Sequence, residues 1–213
     1  MAELRRLQES LARRVRLMPL QRPPETVAGV DAAYGEGKIV AAAVLYDLVT
    51  LSPIEHAFVI DRPPLPYVPG FLSFREGPFL SEAVRRLSRR PDVIIVDGQG
   101  IAHPKRFVLA CHLGIDLELP AIGSAKSRLL GEYIMPGQER GASVPLVHHN
   151  EAVGAVVRTR SRIKPLFVSP GHLITIDEAV ALVLRTSDGF RLPEPQRAAD
   201  RLATRVKQMM TPG

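Results

Sequence analysis

The apolar run Val93-Ile94-Ile95-Val96 breaks off at Asp97-Gly98, and Val27-Ala28-Gly29-Val30 breaks off in the same way at Asp31. Short Val- and Ile-bearing runs of this kind, with glycine at hand for a sharp turn, predict buried strands, so the chain must build its core around a sheet. Each strand also delivers a carboxylate at or near its end. Isolated acids in such places are often caps or turn formers. Brought together, they repel one another unless a cation holds them, and a hard divalent cation takes oxygen ligands. Glu76 and Asp200 also stand in unusual contexts, and the four acids form a candidate metal site.

Leu4, Leu7, Leu11 and Val15 recur at helical spacing among Arg5, Arg6, Arg13, Arg14 and Arg16, which predicts an amphipathic helix over 3–17 in an N-terminal segment 1–20. Strands follow at 26–33, 39–46 and 54–60, with Gly35 and Gly37 marking the first turn and Ser52-Pro53 the second. Links this short favour an antiparallel meander. Residues 61–70 hold four prolines, which excludes a helix or a central strand and leaves a stiff loop. Next come a helix over 79–90, the strand 93–97, a helix over 106–113 and a strand near 120–124. Strands near 152–158 and 165–169 and helices over 175–186 and 196–210 complete the pattern. Strands first, then alternation, describe an α/β or α+β fold, with α/β favoured: a single domain over 1–213 whose mixed β-sheet, flanked by helices, is antiparallel at the start and parallel later.

Composition narrows the partners. The chain has 213 residues, 46% of them hydrophobic, enough for one substantial core. Twenty-eight Lys and Arg against 22 Asp and Glu give a formal charge of +6 and a pI near 9.9, the sign expected of a chain that meets a polyanion. The single cysteine, Cys111, excludes an intramolecular disulfide and fits a reducing, cytoplasmic setting. No stretch approaches the roughly 20 apolar residues needed to cross a bilayer, so no membrane partner is expected. The N-terminus lacks a signal-peptide core, and Glu3 and Glu9 count against a transit peptide. His112, His148, His149 and His172 show no zinc spacing with Cys111, and His172 is kept as a secondary site candidate.

Five longer motifs follow one another along the chain: Gly29-Val30-Asp31, Pro66-Tyr67-Val68-Pro69-Gly70-Phe71-Leu72-Ser73-Phe74-Arg75-Glu76, Val96-Asp97-Gly98-Gln99-Gly100-Ile101-Ala102-His103-Pro104, Ile122-Gly123-Ser124-Ala125-Lys126-Ser127-Arg128-Leu129 and Arg191-Leu192-Pro193-Glu194-Pro195. In this order, over about residues 27 to 200, they resemble the successive motifs of the endonuclease V family. The resemblance implies a ribonuclease H-like fold and Mg²⁺-dependent cleavage of strands that contain deaminated adenine, with Mn²⁺ as a substitute. It also implies the position of the cut, the second phosphodiester bond 3′ to the lesion, leaving 3′-hydroxyl and 5′-phosphate ends, in DNA repair. The implied partner is DNA containing deoxyinosine, met by a monomer. Inosine-containing RNA stays open, because the 2′-hydroxyl is read by contacts that the sequence does not place.

Phosphodiester hydrolysis needs an activated water, a stabilised pentacoordinate transition state and a leaving oxygen relieved of charge, all of which divalent ions supply. Three or four carboxylates from separate elements suffice to hold them. With the resemblance, Asp31, Glu76, Asp97 and Asp200 become the expected metal ligands. By themselves Glu76, beside Gly77-Pro78, could serve a helix dipole, and Asp200, at the edge of the last helix's apolar stripe, could face water. His103 shares a short loop with Asp97 and is marked by the resemblance as an active-site residue. Lys126, just past a strand, becomes a candidate to stabilise the transferring phosphate.

Pro66 and Pro69 restrict the backbone around Tyr67, which suits a rigid surface loop with a packed ring or an aromatic wedge between bases; the resemblance favours the wedge. The extruded base then needs a pocket of fixed backbone groups, for which the turns at Gly70 and Gly98 are candidates. Lys105 and Arg106 are candidate phosphate contacts. Val68, Gln99, Gln196 and Leu173 depart from the family pattern, and the second and last of these leave the breadth of substrates open. Two rivals remain: another ribonuclease H-like nuclease directed at RNA or at junctions, and a catalytically silent nucleic-acid-binding protein of the same fold.

Overall fold

The computed structural model describes residues 2–210, so the two ends of the expected 1–213 domain, Met1 and residues 211–213, lie outside the described residues. Strands β1 (Thr26–Gly35), β2 (Lys38–Asp47), β3 (Pro53–Asp61), β4 (Val93–Asp97), β5 (Ala121–Ala125), β6 (Ser143–His148), β7 (Glu151–Val157) and β8 (Leu166–His172) form one sheet in the order β3-β2-β1-β4-β5-β8-β7-β6. Helices α1 (Ala2–Ala12), α2 (Leu72–Arg85), α3 (Leu109–Leu117), α4 (Ile176–Thr186) and α5 (Glu194–Met210) flank it.

The β1–β2 hairpin turns at Glu36 and Gly37, both at positive φ (51° and 70°), the geometry whose twist matches the flanking strands. β4 then returns to pair with β1 in parallel, and β5 pairs with β4 in parallel. Because these central strands are covered on both faces, they read as continuous apolar runs. Ala28, Val30, Ile94 and Val96 pack against Leu80, Ala83 and Val84 of α2 and Leu109 and Leu113 of α3. Val27, Val93 and Ile95 face the other way, toward Ala179, Leu182 and Val183 of α4 and Ala199 of α5. Among the described residues no helix is long and apolar enough to cross a membrane.

Several elements depart from the sequence reading. The first helix ends at Ala12 instead of 17, because the Arg16 backbone is taken up by the end of β8: Leu173 N–H donates to the Arg16 carbonyl and Arg16 N–H to His172 Nδ1. α2 begins at Leu72, not 79, with Gly77 and Pro78 inside it. Burial of Phe74, Leu80, Ala83 and Val84 offsets the hydrogen bond that Pro78 forfeits. α3 starts at Leu109 and not at 106, since Arg106 adopts a left-handed φ of 51° that no helix accommodates.

The last third of the sheet is antiparallel, not parallel: β8 pairs with β5 and β7 with β8 in opposite directions, and β6, absent from the sequence reading, forms the far edge. Pro145 obscures β6, yet proline is tolerated on an edge strand. Its hairpin turns on His149 and Asn150, both at positive φ, without the glycine that usually announces such a turn.

Candidate active site

β1 is paired with β4 as far as Val30↔Val96. β4 ends one residue later at Asp97, whereas β1 continues against β2 to Gly35. Asp31 is therefore inside its strand and not at its end, and it lies beside Asp97 on strands roughly 4.8 Å apart. By alternation both carboxylates fall on the face of Val27, Gly29, Val93 and Ile95, the side packed by α5. Gly29 makes that packing close: a Cβ there would stand 2.0 Å from the Pro195 carbonyl oxygen. The start of α5 thus rests on β1 and carries Asp200, itself exposed, toward the acids.

Their charges are felt. Burial first, and then the charge of Asp97, push the Asp31 carboxyl up from 3.8 to about 7. Asp200 raises it further, while the Ala32 N–H, 2.8 Å from Oδ1, and Lys126 pull the other way. Lys126, just beyond β5, donates to Asp97 Oδ2 at 2.8 Å, and that bond holds its ammonium above the ordinary range. Ionising Asp31 here costs a few kcal/mol, at roughly 1.4 kcal/mol per pH unit. Burial of neighbours such as Val30 and Ile95, about 2 kcal/mol each, offsets that cost.

Glu76 comes from α2, on the opposite face. It is buried, and burial raises its carboxyl above the ordinary range; the Tyr34 hydroxyl, donating to Oε1 at 3.0 Å, and nearby Arg75 oppose the rise, and Asp97 adds to it. Asp97 is thus the acid whose charge reaches both Asp31 and Glu76. The Tyr34 phenol is pushed up to about 12, by burial and then by Glu76. The sequence reading gives Tyr34 and Arg75 no role. Strand alternation from Asp31 puts Tyr34 on the α2 face, but which side chain waits there is a tertiary fact.

The turn after Asp97 lies over β5, where a Cβ on Gly123 would come within 2.5 Å of the Gln99 backbone, and Gly98 takes φ 153°. His103 accepts from Lys105 N–H at Nδ1 (3.1 Å), and burial, with Lys105 adding, holds it below the usual histidine range. Lys105 and Arg106 are exposed but engaged, with Glu9 at 3.1 Å and Glu151 at 2.6 Å. With Arg13 they line a hollow of about 400 Å³ beside the loop.

In the proline loop, Tyr67 between Pro66 and Pro69 is 65% exposed, so it is not a packed ring. The loop is tied at both ends: Arg75 Nη1 donates to the Leu65 carbonyl at 2.6 Å, and the buried Gln8 Nε2 donates to the Gly70 carbonyl at 3.1 Å. Gln8 is a third residue that the sequence reading missed; a polar side chain among the leucines of α1 was its only signal. His172 sits at the other end of the sheet, opposite Ala121, with Nδ1 accepting the Arg16 amide, so it is structural.

Among the described residues no three Asp, Glu, His or Cys side chains already stand gathered as a ligand cage. The donor set nevertheless fits a hard cation. It offers carboxylate oxygens alone, and the burial and, after it, the Asp97 charge that hold Asp31 near 7 are both penalties on its ionised form that a divalent ion would offset.

The family model for endonuclease V matches residues 9–201. The chain belongs to the endonuclease V family. Endonuclease V of Geotalea uraniireducens (strain Rf4) is 69% identical over 211 residues, 99% of this chain and 90% of that one. The crystal structure of endonuclease V from Streptomyces avermitilis superposes with a TM-score of 0.94 at 41% identity, covering 99% of this chain and 94% of that one. A crystal structure of Ciona intestinalis endonuclease V, in complex with a 24mer DNA containing an inosine followed by a ribo-adenosine, shares the fold at 23% identity, with a TM-score of 0.84 over 99% of this chain and 98% of that one. This member of the endonuclease V family is accordingly a deoxyribonuclease V-type endonuclease with a ribonuclease H-like fold.

Proposed function

We propose that this endonuclease recognises deaminated adenine in DNA and hydrolyses the second phosphodiester bond 3′ to the lesion, leaving 3′-hydroxyl and 5′-phosphate ends, as a step in DNA repair. The observation that carries the reading is the register that sets half-buried Asp31 beside Asp97 on paired strands, where each carboxylate adds to the negative charge felt by the other in a basic chain. The inosine-containing DNA bound by the Ciona relative supports the choice of lesion.

Asp31, Asp97, Glu76 and Asp200 would hold Mg²⁺, or Mn²⁺ in its place, and the bound ion supplies charge for the attacking water, the transition state and the leaving oxygen. Lys126, kept charged by Asp97, stabilises the negative charge that builds on the phosphate. His103, neutral near pH 7, can accept a proton or a hydrogen bond at the same phosphate. Tyr67 wedges the stack, stiffened by Pro66 and Pro69, and the backbone at Gly70 and Gly98 reads the extruded base. Lys105 and Arg106 meet phosphates. The protein works as a monomer in the cytoplasm, where the buried free thiol of Cys111 stays reduced.

The test is nicking of an end-labelled strand with one deoxyinosine, against an unmodified strand and an inosine RNA, with Mg²⁺ and with EDTA. One product ending two bonds 3′ of the lesion, seen with Mg²⁺ alone, is expected. Equal cutting of the unmodified strand, or a preference for RNA, overturns the assignment.

A further inference from the structure

Glu76 is buried, and among the described residues its carboxylate accepts a single hydrogen bond, from the Tyr34 hydroxyl at 3.0 Å. That hydroxyl accepts in turn from Arg75 Nε at 3.0 Å. The Arg75 guanidinium stands 4.7 Å from the centre of the Tyr34 ring and sends Nη1 to the Leu65 carbonyl. An unbroken chain of contacts therefore runs from Leu65, two residues before Tyr67, through Arg75 and Tyr34 to Glu76.

The chemistry of the chain suits a carboxylate kept ready for a cation. Tyr34 donates to Oε1 and leaves Oε2 without a partner, so one oxygen fixes the orientation and the other is free to ligate, the usual way a neighbouring group orients a metal ligand. A phenol does this without neutralising the carboxylate. Arg75, which could, points its Nε at the phenol oxygen instead, and among the described residues Glu76 has no ion pair within 4 Å. The Tyr34 backbone is also fixed by the strand that carries Asp31, three residues earlier, so ring and acid keep one register.

We propose that Tyr34 is a positioning residue that fixes Glu76 for cation binding and, through Arg75, couples that carboxylate to the proline loop bearing Tyr67. The proposal rests on the reading of Glu76 as a cation ligand. A strand that displaces the loop would pull the Leu65 carbonyl from Arg75, and the released guanidinium would shift the hydrogen bond at the Tyr34 oxygen. Entry of the nucleic acid and orientation of Glu76 are then linked.

Tyr34→Phe removes the hydroxyl and keeps the ring beneath the guanidinium. The readouts are calorimetric titration of Mn²⁺ into the DNA-free protein and the Mn²⁺ dependence of nicking on a deoxyinosine strand, with Glu76→Gln and Arg75→Met alongside. Tyr34→Phe should melt like the parent, bind Mn²⁺ roughly three- to tenfold more weakly, and regain most of its kcat at saturating Mn²⁺ with KM for the strand little changed. Arg75→Met should lose less Mn²⁺ affinity but raise KM, and the double variant should bind Mn²⁺ no more weakly than Tyr34→Phe. Parental Mn²⁺ affinity in Tyr34→Phe, with a clear loss in Glu76→Gln, overturns the positioning role and leaves Glu76 as a ligand. Parental affinity and activity in Glu76→Gln overturn the ligand reading and the proposal together. A folded Tyr34→Phe that regains nothing at saturating Mn²⁺ also overturns the proposal, because the hydroxyl would then act in the chemistry.

Discussion

Asp31 and Tyr67 serve one proposed reaction, yet the molecule holds them in opposite ways. Asp31 lies in a strand paired on one side along its whole length and on the other up to the preceding residue, so backbone ladders fix the direction of its side chain, and the Ala32 N–H holds its Oδ1, before any ligand arrives. Tyr67 rides on a loop without a ladder, stiffened by prolines and moored by two side-chain bonds, at Leu65 and Gly70, that a strand of nucleic acid could replace. The contrast separates chemistry from recognition. The acids proposed to hold the cation in a fixed place include two on the sheet, and the ring proposed to enter a base stack sits where it can yield.

The sharpest way to break that separation is to remove a sheet-borne acid. Asp31→Ala or Asp97→Ala should lower nicking of a deoxyinosine strand on the order of a thousandfold or more, because several kcal/mol of transition-state stabilisation go with the cation. Circular dichroism should show the fold intact. Undiminished nicking of the parent protein in excess EDTA would sink the metal mechanism outright.

The second test concerns stability instead of rate. Asp31 ionises near 3.8 when unfolded and near 7 in the fold, so between those values the folded state holds the proton more tightly. The contribution of Asp31 to the stability of the metal-free protein should be fully present below about pH 4, be lost as pH rises toward 7 and level off above it. Asp92 and Glu178, held below their ordinary range by hydrogen bonds, act the other way at low pH. Asp31→Asn should flatten the profile and exceed the parent by a few kcal/mol above pH 7, at roughly 1.4 kcal/mol per pH unit. Thermal melts in EDTA across pH 4 to 8 measure this; a parallel slope in parent and variant would place the strain elsewhere.

These two tests bear on the part of the molecule that the sequence states most clearly. Apolar runs broken by Asp31 and Asp97 are local signals, since a strand buried on both faces must be apolar and an acid within it is conspicuous. Glu76 was visible as a motif residue, but its place inside α2 was not, because Gly77-Pro78 reads as a helix start until the burial of Phe74 and Leu80 on either side decides otherwise. Tyr34 and Arg75 carry no local signal of their roles, and Gln8 carries only that of a polar side chain among leucines. Their roles depend on which element crosses the sheet above them, and that is settled only when the chain folds. The β6 hairpin was hidden for a third reason: its turn uses His149 and Asn150 where glycine would have spoken plainly.

The comparison sharpens at Tyr67. Tyr67→Ala should cost about 1–3 kcal/mol on an inosine strand, roughly five- to a hundredfold, the worth of one base–aromatic contact. Metal-dependent cutting of unmodified, already unpaired strands should survive better, because no stack has to be opened there. Equal loss on both substrates, with the fold intact, would assign Tyr67 to the chemistry or the core and erase the division drawn above.

The smallest effects belong to the rim. Lys105 and Arg106 already engage Glu9 and Glu151, so a phosphate must compete with an existing partner and gains less than a free cation would give. Lys105→Ala and Arg106→Ala should each weaken strand binding by no more than about 1 kcal/mol, to the same extent for inosine and unmodified sequences, and each should reduce the slope of log K against log salt by less than the roughly 0.9 expected for a full phosphate contact on duplex DNA. Glu9→Gln supplies the converse arm, since it frees Lys105 and should tighten binding at low salt without improving discrimination. Affinity measured by fluorescence anisotropy at several salt concentrations checks all three variants. A rim substitution that changed lesion preference as strongly as Tyr67→Ala would mean that recognition is shared with the basic loop, and the proline loop would lose its separate standing.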